Sequence, residues 1–239
     1  DQLKRQDVWW ETAVYRLPDD GTGALPTLRH IIINDNKFST YKLGLLRTLV
    51  RMADSAPGLV LHRSDDWVEL PLGAVGLFWI MLYHPLVLKH HLRQAPGSRG
   101  LGFAGDDFYE LSKLSPLDFR VGLSLSSEFA PVVMRAIKKA ASNILKNPAQ
   151  FTTWPGTNRQ VFEGGTSRVT IRNEAVRLDK ETLARFGRFR VPATLWDTFS
   201  RYACWVEPAI VNEWINLMGS WEARYTTETY HQALQWVEG

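Results

Sequence analysis

The run Leu70–His84 constrains this chain more than any other segment. Its fifteen residues, LPLGAVGLFWIMLYH, contain no Asp, Glu, Lys or Arg. A membrane-spanning helix needs about 20 such residues, so the run reads as a buried core helix instead. Pro71 sits where a helix start tolerates proline, and Pro85 is placed to end or kink it. Hydrophobic residues make up 45% of the 239, enough to bury a sizeable core around that helix.

The remaining punctuation predicts a mainly helical α+β fold with a few short strands. Val8–Leu17 reads as a strand or short helix, and the β-branched Leu28–Ile33 as a strand. Ser39 and Thr40 are N-cap candidates for a helix reaching about Ser55, stopped by Pro57-Gly58. Residues 59–61 and 67–70 flank Ser64-Asp65-Asp66 and predict a small hairpin. Asp106–Leu114 reads as a short helix, and Ser126-Ser127-Glu128 as the cap of a long one ending at Asn147-Pro148. Phe151–Ile171 is β-rich or irregular. Lys180–Phe186 reads as a short helix, Pro192–Met218 as a strong helical tract broken near Pro208, and the last helix starts near Thr226. The Gly/Pro/Ser-rich segment 94–105 is the best internal boundary. It suggests a helical subdomain with a hairpin over 1–98 and a second over 99–239 with a β-rich insertion, or the two as one compact unit. The chain starts at Asp1 and stops just after an amphipathic stretch, Tyr230–Val237, which suggests a piece of a longer protein; the alternative is a complete protein with trimmed ends.

Net charge is only +3, but its distribution is uneven. Arg29–Arg51 holds five Lys/Arg and one acid, and Arg159–Arg201 nine Lys/Arg and five acids, whereas from Glu207 onward there are five glutamates and one arginine. Two basic blocks in a nearly neutral chain suggest a polyanion on one face; ordinary solvated surface is the bland alternative. On a wheel of about 100° per residue, the helix after Thr40 turns Leu43, Leu45, Leu46, Leu49, Val50 and Ala53 to one side and Gly44, Arg47 and Arg51 to the other. Arg47 and Arg51 are then spaced to straddle phosphates, or simply to be solvated. Lys42 falls inside the apolar arc, where it either faces a phosphate at the helix start or pairs with Asp35 or Glu69. Trp154-Pro155 with Arg159 can form a rigid apolar notch for a base or a modified group, or can plug the core. Arg185-Phe186-Gly187-Arg188-Phe189-Arg190 interleaves cations with aromatics, suited either to nucleic acid or to a strand with buried Phe186 and Phe189.

No nucleotide-binding loop, nucleophile elbow or dinucleotide fingerprint occurs, and the six histidines show no metal-ligand spacing. Asp65-Asp66 and Asp106-Asp107 read as turn and cap residues. Cys204, the lone cysteine, excludes an internal disulfide, fits a reducing cytoplasm and is expected to be buried. Most of the ten tryptophans read as core, Trp79, Trp196, Trp205 and Trp214 among them, since these four sit in apolar helical patterns. A free-standing hydrolase is disfavoured because no acid, base or nucleophile set coheres.

The segment Asn36-Lys37-Phe38-Ser39-Thr40-Tyr41-Lys42-Leu43-Gly44-Leu45-Leu46-Arg47, the second helix with Trp79 and Tyr83, and the stretch from Phe189-Arg190-Val191-Pro192 through Leu195-Trp196 to Glu213-Trp214 together resemble the N-terminal region of HNH-type restriction endonucleases. In that family the catalytic module follows with an Asp-His pair, which is absent from this sequence. The resemblance therefore implies a non-catalytic recognition region binding double-stranded DNA, unmodified or carrying a phosphorothioate or methyl group. A divalent metal is expected only in the missing module, and no membrane contact is expected. The implied DNA-contacting residues are Lys37, Thr40, Lys42, Arg47, Arg51, Arg188 and Arg190 toward phosphates, with Trp154, Pro155 and Arg159 reading a base or modification. The competing reading is a protein-interaction module, with a homodimer as one assembly left open.

Overall fold

A computed structural model of the chain describes residues 21–97, 101–222 and 225–235. The helix predicted from the apolar run organises it. Strand β2 (Trp67–Pro71) passes at Pro71 straight into helix α3 (Leu72–His84), and all thirteen residues of α3 are buried. A second strand–proline–helix unit repeats the pattern late in the chain, where β6 (Gly187–Pro192) passes at Pro192 into α7 (Ala193–Trp221). The two strands pair antiparallel, Trp67 opposite Pro192 and Pro71 opposite Arg188. Proline suits both junctions, because its fixed φ fits the extended end of the strand and the following helix start asks no N–H of it.

In chain order the other elements are α1 (Ala24–Arg29), α2 (Tyr41–Ser55), β1 (His62–Arg63), α4 (Asp106–Glu110), β3 (Ser124–Leu125), α5 (Ala130–Ile144), β4 (Glu163–Thr166), β5 (Val176–Arg177), α6 (Lys180–Ala184) and α8 (Thr227–Ala233). Wide helical turns extend α1 through Asn34, α3 through Lys89 and α5 through Ala149. Strands β1, β2, β6 and β4 form one antiparallel sheet in that order, and β3 pairs with β5. This is the mainly helical α+β fold that the sequence predicts. α2 packs on α7 and α3 on α5, and one hydrophobic core runs from Ala24 to Leu234 across the 94–105 segment.

Several local expectations are corrected. Leu28–Ile33 is helical, not a strand: Ala24, Leu28, Ile31 and Ile32 recur at helical spacing and all four are buried, so packing overrides β-branched propensity. α7 runs through Pro208, and its kink lies earlier, at Tyr202 (φ −121°, ψ 23°). The hydrogen bond that Pro208 cannot make falls on an exposed side, with Cys204, Trp205 and Pro208 open to solvent. Cys204 is therefore exposed rather than buried, and Trp205, at 65% exposure, is not core, unlike Trp79, Trp196 and Trp214. Ser126-Ser127-Glu128 provides no side-chain cap for α5, which starts after Phe129. The Val8–Leu17 segment lies outside the described residues.

Gly187 opens β6 at φ 124°, and a Cβ there would collide with the Gly165 carbonyl of β4. Both the backbone angle and the close strand approach exclude a side chain. Gly187→Ala is expected to cost about 1–3 kcal/mol, read as a lower midpoint in chemical denaturation. An unchanged midpoint would show that β4 yields freely.

His84, at the end of α3, is buried, with its Nε2 2.9 Å from the Leu111 carbonyl and its ring tilted against Phe119. Burial lowers its pKa from the ordinary histidine value, opposed by hydrogen bonds to the Leu111 and Leu114 carbonyls. A depressed histidine pKa means the unfolded chain takes up the proton first. Stability is thus fully present above the unfolded pKa of about 6.5 and is lost as pH falls from there toward the folded value. Urea unfolding should show this loss below about pH 6.5, and His84→Gln should reduce the slope. An identical slope in the variant would assign the effect to other groups, such as His90, which burial also depresses.

Candidate nucleic-acid interface

The first basic block is largely consumed inside the protein. Thr40 is fully buried: its hydroxyl donates to Gln94 Oε1 at 2.9 Å and accepts from the Tyr83 hydroxyl at 2.9 Å. Trp214 Nε1 donates to the same Gln94 oxygen at 3.0 Å, so the network ties α2, α3 and α7 together. Arg47 is 2% exposed; its Nε donates to Glu207 Oε1 at 2.8 Å and its Nη2 to the Leu234 carbonyl. Arg51 Nε donates to the same Glu207 oxygen at 2.8 Å. The wheel placed Gly44 and Arg47 opposite the apolar face, but the structure buries every residue from 43 to 50. Helices α3 and α7 pack on α2 from two directions, and a Cβ at Gly44 would strike the Tyr83 hydroxyl. Thr40 and Arg47 therefore present nothing to a phosphate. Lys42 takes the pairing alternative, 2.6 Å from Asp35 Oδ2, and Lys37 lies 3.5 Å from Glu213 with its side chain 5% exposed.

Trp154 and Arg159 meet at the tip of a hairpin-like loop closed by the Thr153–Gln160 bridge. Trp154 is half-buried against the core, Pro155 is exposed, and the Arg159 guanidinium stands 5.4 Å from the indole centroid. One indole face is thus already occupied by a cation. In β6, Phe186 and Phe189 are buried beside the strand's start and middle, while Arg188 and Arg190 point outward. Both reach Glu69 on β2, Arg190 at 3.1 Å and Arg188 at 3.7 Å, and both side chains remain about half exposed.

The structure assembles a basic surface from residues that the sequence reading left scattered. Arg168, Arg172, Arg185 and Arg188 line an open depression of about 530 Å³, with Glu174 its single acid. A neighbouring depression of about 440 Å³ is lined by Arg135, Lys138 and Lys139 of α5, with Asp107 opposite. Segment 167–172 divides the two: Val169 and Ile171 turn inward, and Arg168, Thr170 and Arg172 outward. Lys138 Nζ donates to the Val169 carbonyl at 3.3 Å and pins that segment to α5. Together the two depressions carry seven cationic and two acidic side chains, and Asp107 is itself held by Arg135 at 2.6 Å. Arg168, Arg172 and Arg185 form no salt bridge among the described residues; Asp179, lowered in pKa mainly by its hydrogen bonds to Thr182, also feels the Arg185 charge. One signal for this surface was available in sequence: Arg135, Lys138, Lys139 and Ser142 recur at helical spacing on α5, opposite its buried Val133, Ile137, Ala140 and Ile144.

Among the described residues no group of three or more His, Cys, Asp or Glu side chains is placed to hold a metal ion. The α3 segment Leu72–Lys89 is long and apolar enough to cross a membrane by composition, but 78% of it is buried within the protein. No curated protein and no solved structure matches the chain at a significant level. One family description does, over residues 21–234, which is nearly all of the sequence. The chain therefore belongs to the family described as a domain of unknown function, DUF8808.

Proposed function

We propose that this chain is a DNA-binding domain that holds the phosphate backbone of a duplex on the surface formed by α5, segment 167–172 and the start of β6. The observation that carries the reading is the excess of seven cations over two acids around two adjoining open depressions. Cations gathered on one face of a nearly neutral chain release counterions when they meet phosphates, which drives association. The resemblance of the Lys37–Arg47 and Phe189–Trp214 stretches to the recognition regions of HNH-type restriction nucleases supports DNA as the polyanion. Within that reading, the exposed Pro155 beside Trp154 is the place for contact with a modified backbone group. Within the same reading the domain supplies the site preference of a nuclease rather than its chemistry.

The test is fluorescence anisotropy with a labelled duplex between about 50 and 200 mM salt, where each phosphate contact steepens the log–log slope by about 0.9. Four to seven contacts would give a slope of roughly 4–6. No binding at the lowest salt, or a slope near zero, would remove the reading. A second reading, a protein-interaction module, is favoured by the exposed Trp205 beside the exposed Cys204 on α7. Sedimentation separates the two: a dimer that Trp205→Ser dissolves, in a chain that ignores DNA, would favour the second.

A further inference from the structure

Five large hydrophobic side chains are exposed among the described residues, and two of them, Phe38 at 83% and Phe151 at 58%, line the same pocket. The pocket, about 500 Å³, lies between the N-terminus of α2 and the turn that follows α5, with Tyr41 and Pro148 completing its apolar walls. Its size is that of a small-molecule site. Tyr41 is a fixed wall: its hydroxyl accepts from the Gly102 N–H at 3.0 Å, and its ring packs edge-on to Trp79 at 5.5 Å. Burial pushes the Tyr41 hydroxyl up to about 12, so that wall stays neutral.

The polar groups at the pocket differ in availability. Lys42 is held by Asp35, and Lys37 by Glu213 and the Asp35 carbonyl. Asn147 donates through Nδ2 to Asn143 Oδ1 at 2.8 Å, which leaves its own Oδ1 to accept. Asn36 is exposed and makes no side-chain hydrogen bond among the described residues. Aromatic walls with open amide edges suit a flat, hydrogen-bonding ring better than an alkyl chain.

The pocket lies further along the same helix whose outer face carries the basic surface. Ser142 lines the lysine-rich depression and Asn147 the aromatic pocket, five residues apart on one helix and its extension. At about 1.5 Å and about 100° per residue the two positions stand roughly 7.5 Å apart along the axis and about 140° apart around it, so a strand that follows the basic face must turn around the end of the helix to bring a base to the pocket.

Resting on the DNA-binding reading above, we infer that the Phe38–Phe151 pocket takes a single unpaired nucleobase from the nucleic acid held along α5. The base stacks on the phenyl rings and presents its edge to Asn36 and Asn147. Such stacking tolerates any base, so the pocket would sense that a base is out of the helix rather than which base it is.

The test uses the intact chain, a fully paired duplex, the same duplex with one unpaired adenine, and free deoxyadenosine monophosphate. Wild type is expected to bind the duplex with the unpaired base about tenfold more tightly than the paired one. Phe38→Ala/Phe151→Ala should erase that preference, leave paired-duplex affinity unchanged and keep the thermal midpoint, since both rings lie at the surface. Equal affinity for the two duplexes in wild type, or a preference that survives in the double variant, would overturn the inference while leaving DNA binding intact. Saturation-transfer NMR with the free nucleotide reads the pocket alone: contact at the adenine protons that the double variant abolishes supports it even if no duplex binds. Absence of that contact, together with absence of duplex binding, would overturn both readings.

Discussion

Replacing Glu207 by alanine should lower the unfolding free energy by about 3–5 kcal/mol, a fall in Tm of roughly 6–20 °C for a domain of this size. The Glu207 carboxylate is the acceptor for two guanidinium groups, Arg47 and Arg51, from successive turns of α2. Its side chain is 15% exposed and that of Arg47 only 3%. Burial disfavours the charged form of Arg47, and Glu207 is the first influence opposing it. Without the carboxylate, a buried cation loses its counter-charge, which costs far more than an exposed ion pair is worth. The reverse truncation should be milder. Arg47→Met removes the buried charge with an apolar stem of similar length and leaves Glu207 to Arg51. Its main penalty is the Leu234 carbonyl, which loses its donor, at about 1–3 kcal/mol. Introducing Arg47→Met into the Glu207→Ala chain should therefore recover stability rather than add to the loss. Equal losses from the two single variants, or additive losses in the double, would show that the buried charge is not what Glu207 serves.

That asymmetry explains why part of this molecule was legible in sequence and part was not. The α3 core helix, the 62–71 hairpin, the start of α8 and the short α6 are announced by local signals: an apolar run between prolines, a Ser-Asp-Asp turn, and Thr or Asp caps. Thr40 precedes α2 as expected but makes no capping hydrogen bond, its hydroxyl being held by Gln94 and Tyr83. The role of Arg47 is not local. A helical wheel assumes one buried face, whereas α2 is enclosed by α3 and α7, and its counter-charge lies 160 residues away. Lys42 was recognisable as a lysine in need of an anion, and Asp35 was near enough in sequence to be named as a partner. The paired strand–proline–helix units were hidden because only the proline and the hydrophobic pattern recur, not the residues. The basic surface escaped for a related reason. Its cations come from α5, from 167–172 and from 185–188, and each alone is an ordinary surface charge until the chain brings them side by side.

Arg168→Ala/Arg172→Ala/Arg185→Ala is expected to weaken duplex binding on the order of a hundredfold near 0.1 M salt and to flatten the salt slope by about 3. The three side chains share one depression and form no salt bridge among the described residues, so each has a charge available to displace a counterion. Arg168 and Arg185 are exposed, as is Arg172, and the thermal midpoint should stay within about 2 °C. Lys42→Ala is the informative contrast. Its charge is met at 2.6 Å by Asp35, and its removal should change duplex affinity by less than about threefold. The comparison separates two explanations of binding that total charge alone would confuse. If affinity followed net charge, Lys42→Ala would reduce it by about a third as much, in logarithmic terms, as the triple variant. If affinity follows cations left without an acid, the triple variant loses about half or more of the salt-dependent part and Lys42→Ala loses almost none. A triple variant that keeps the wild-type slope would place the phosphate contacts elsewhere and sink the assignment of this surface.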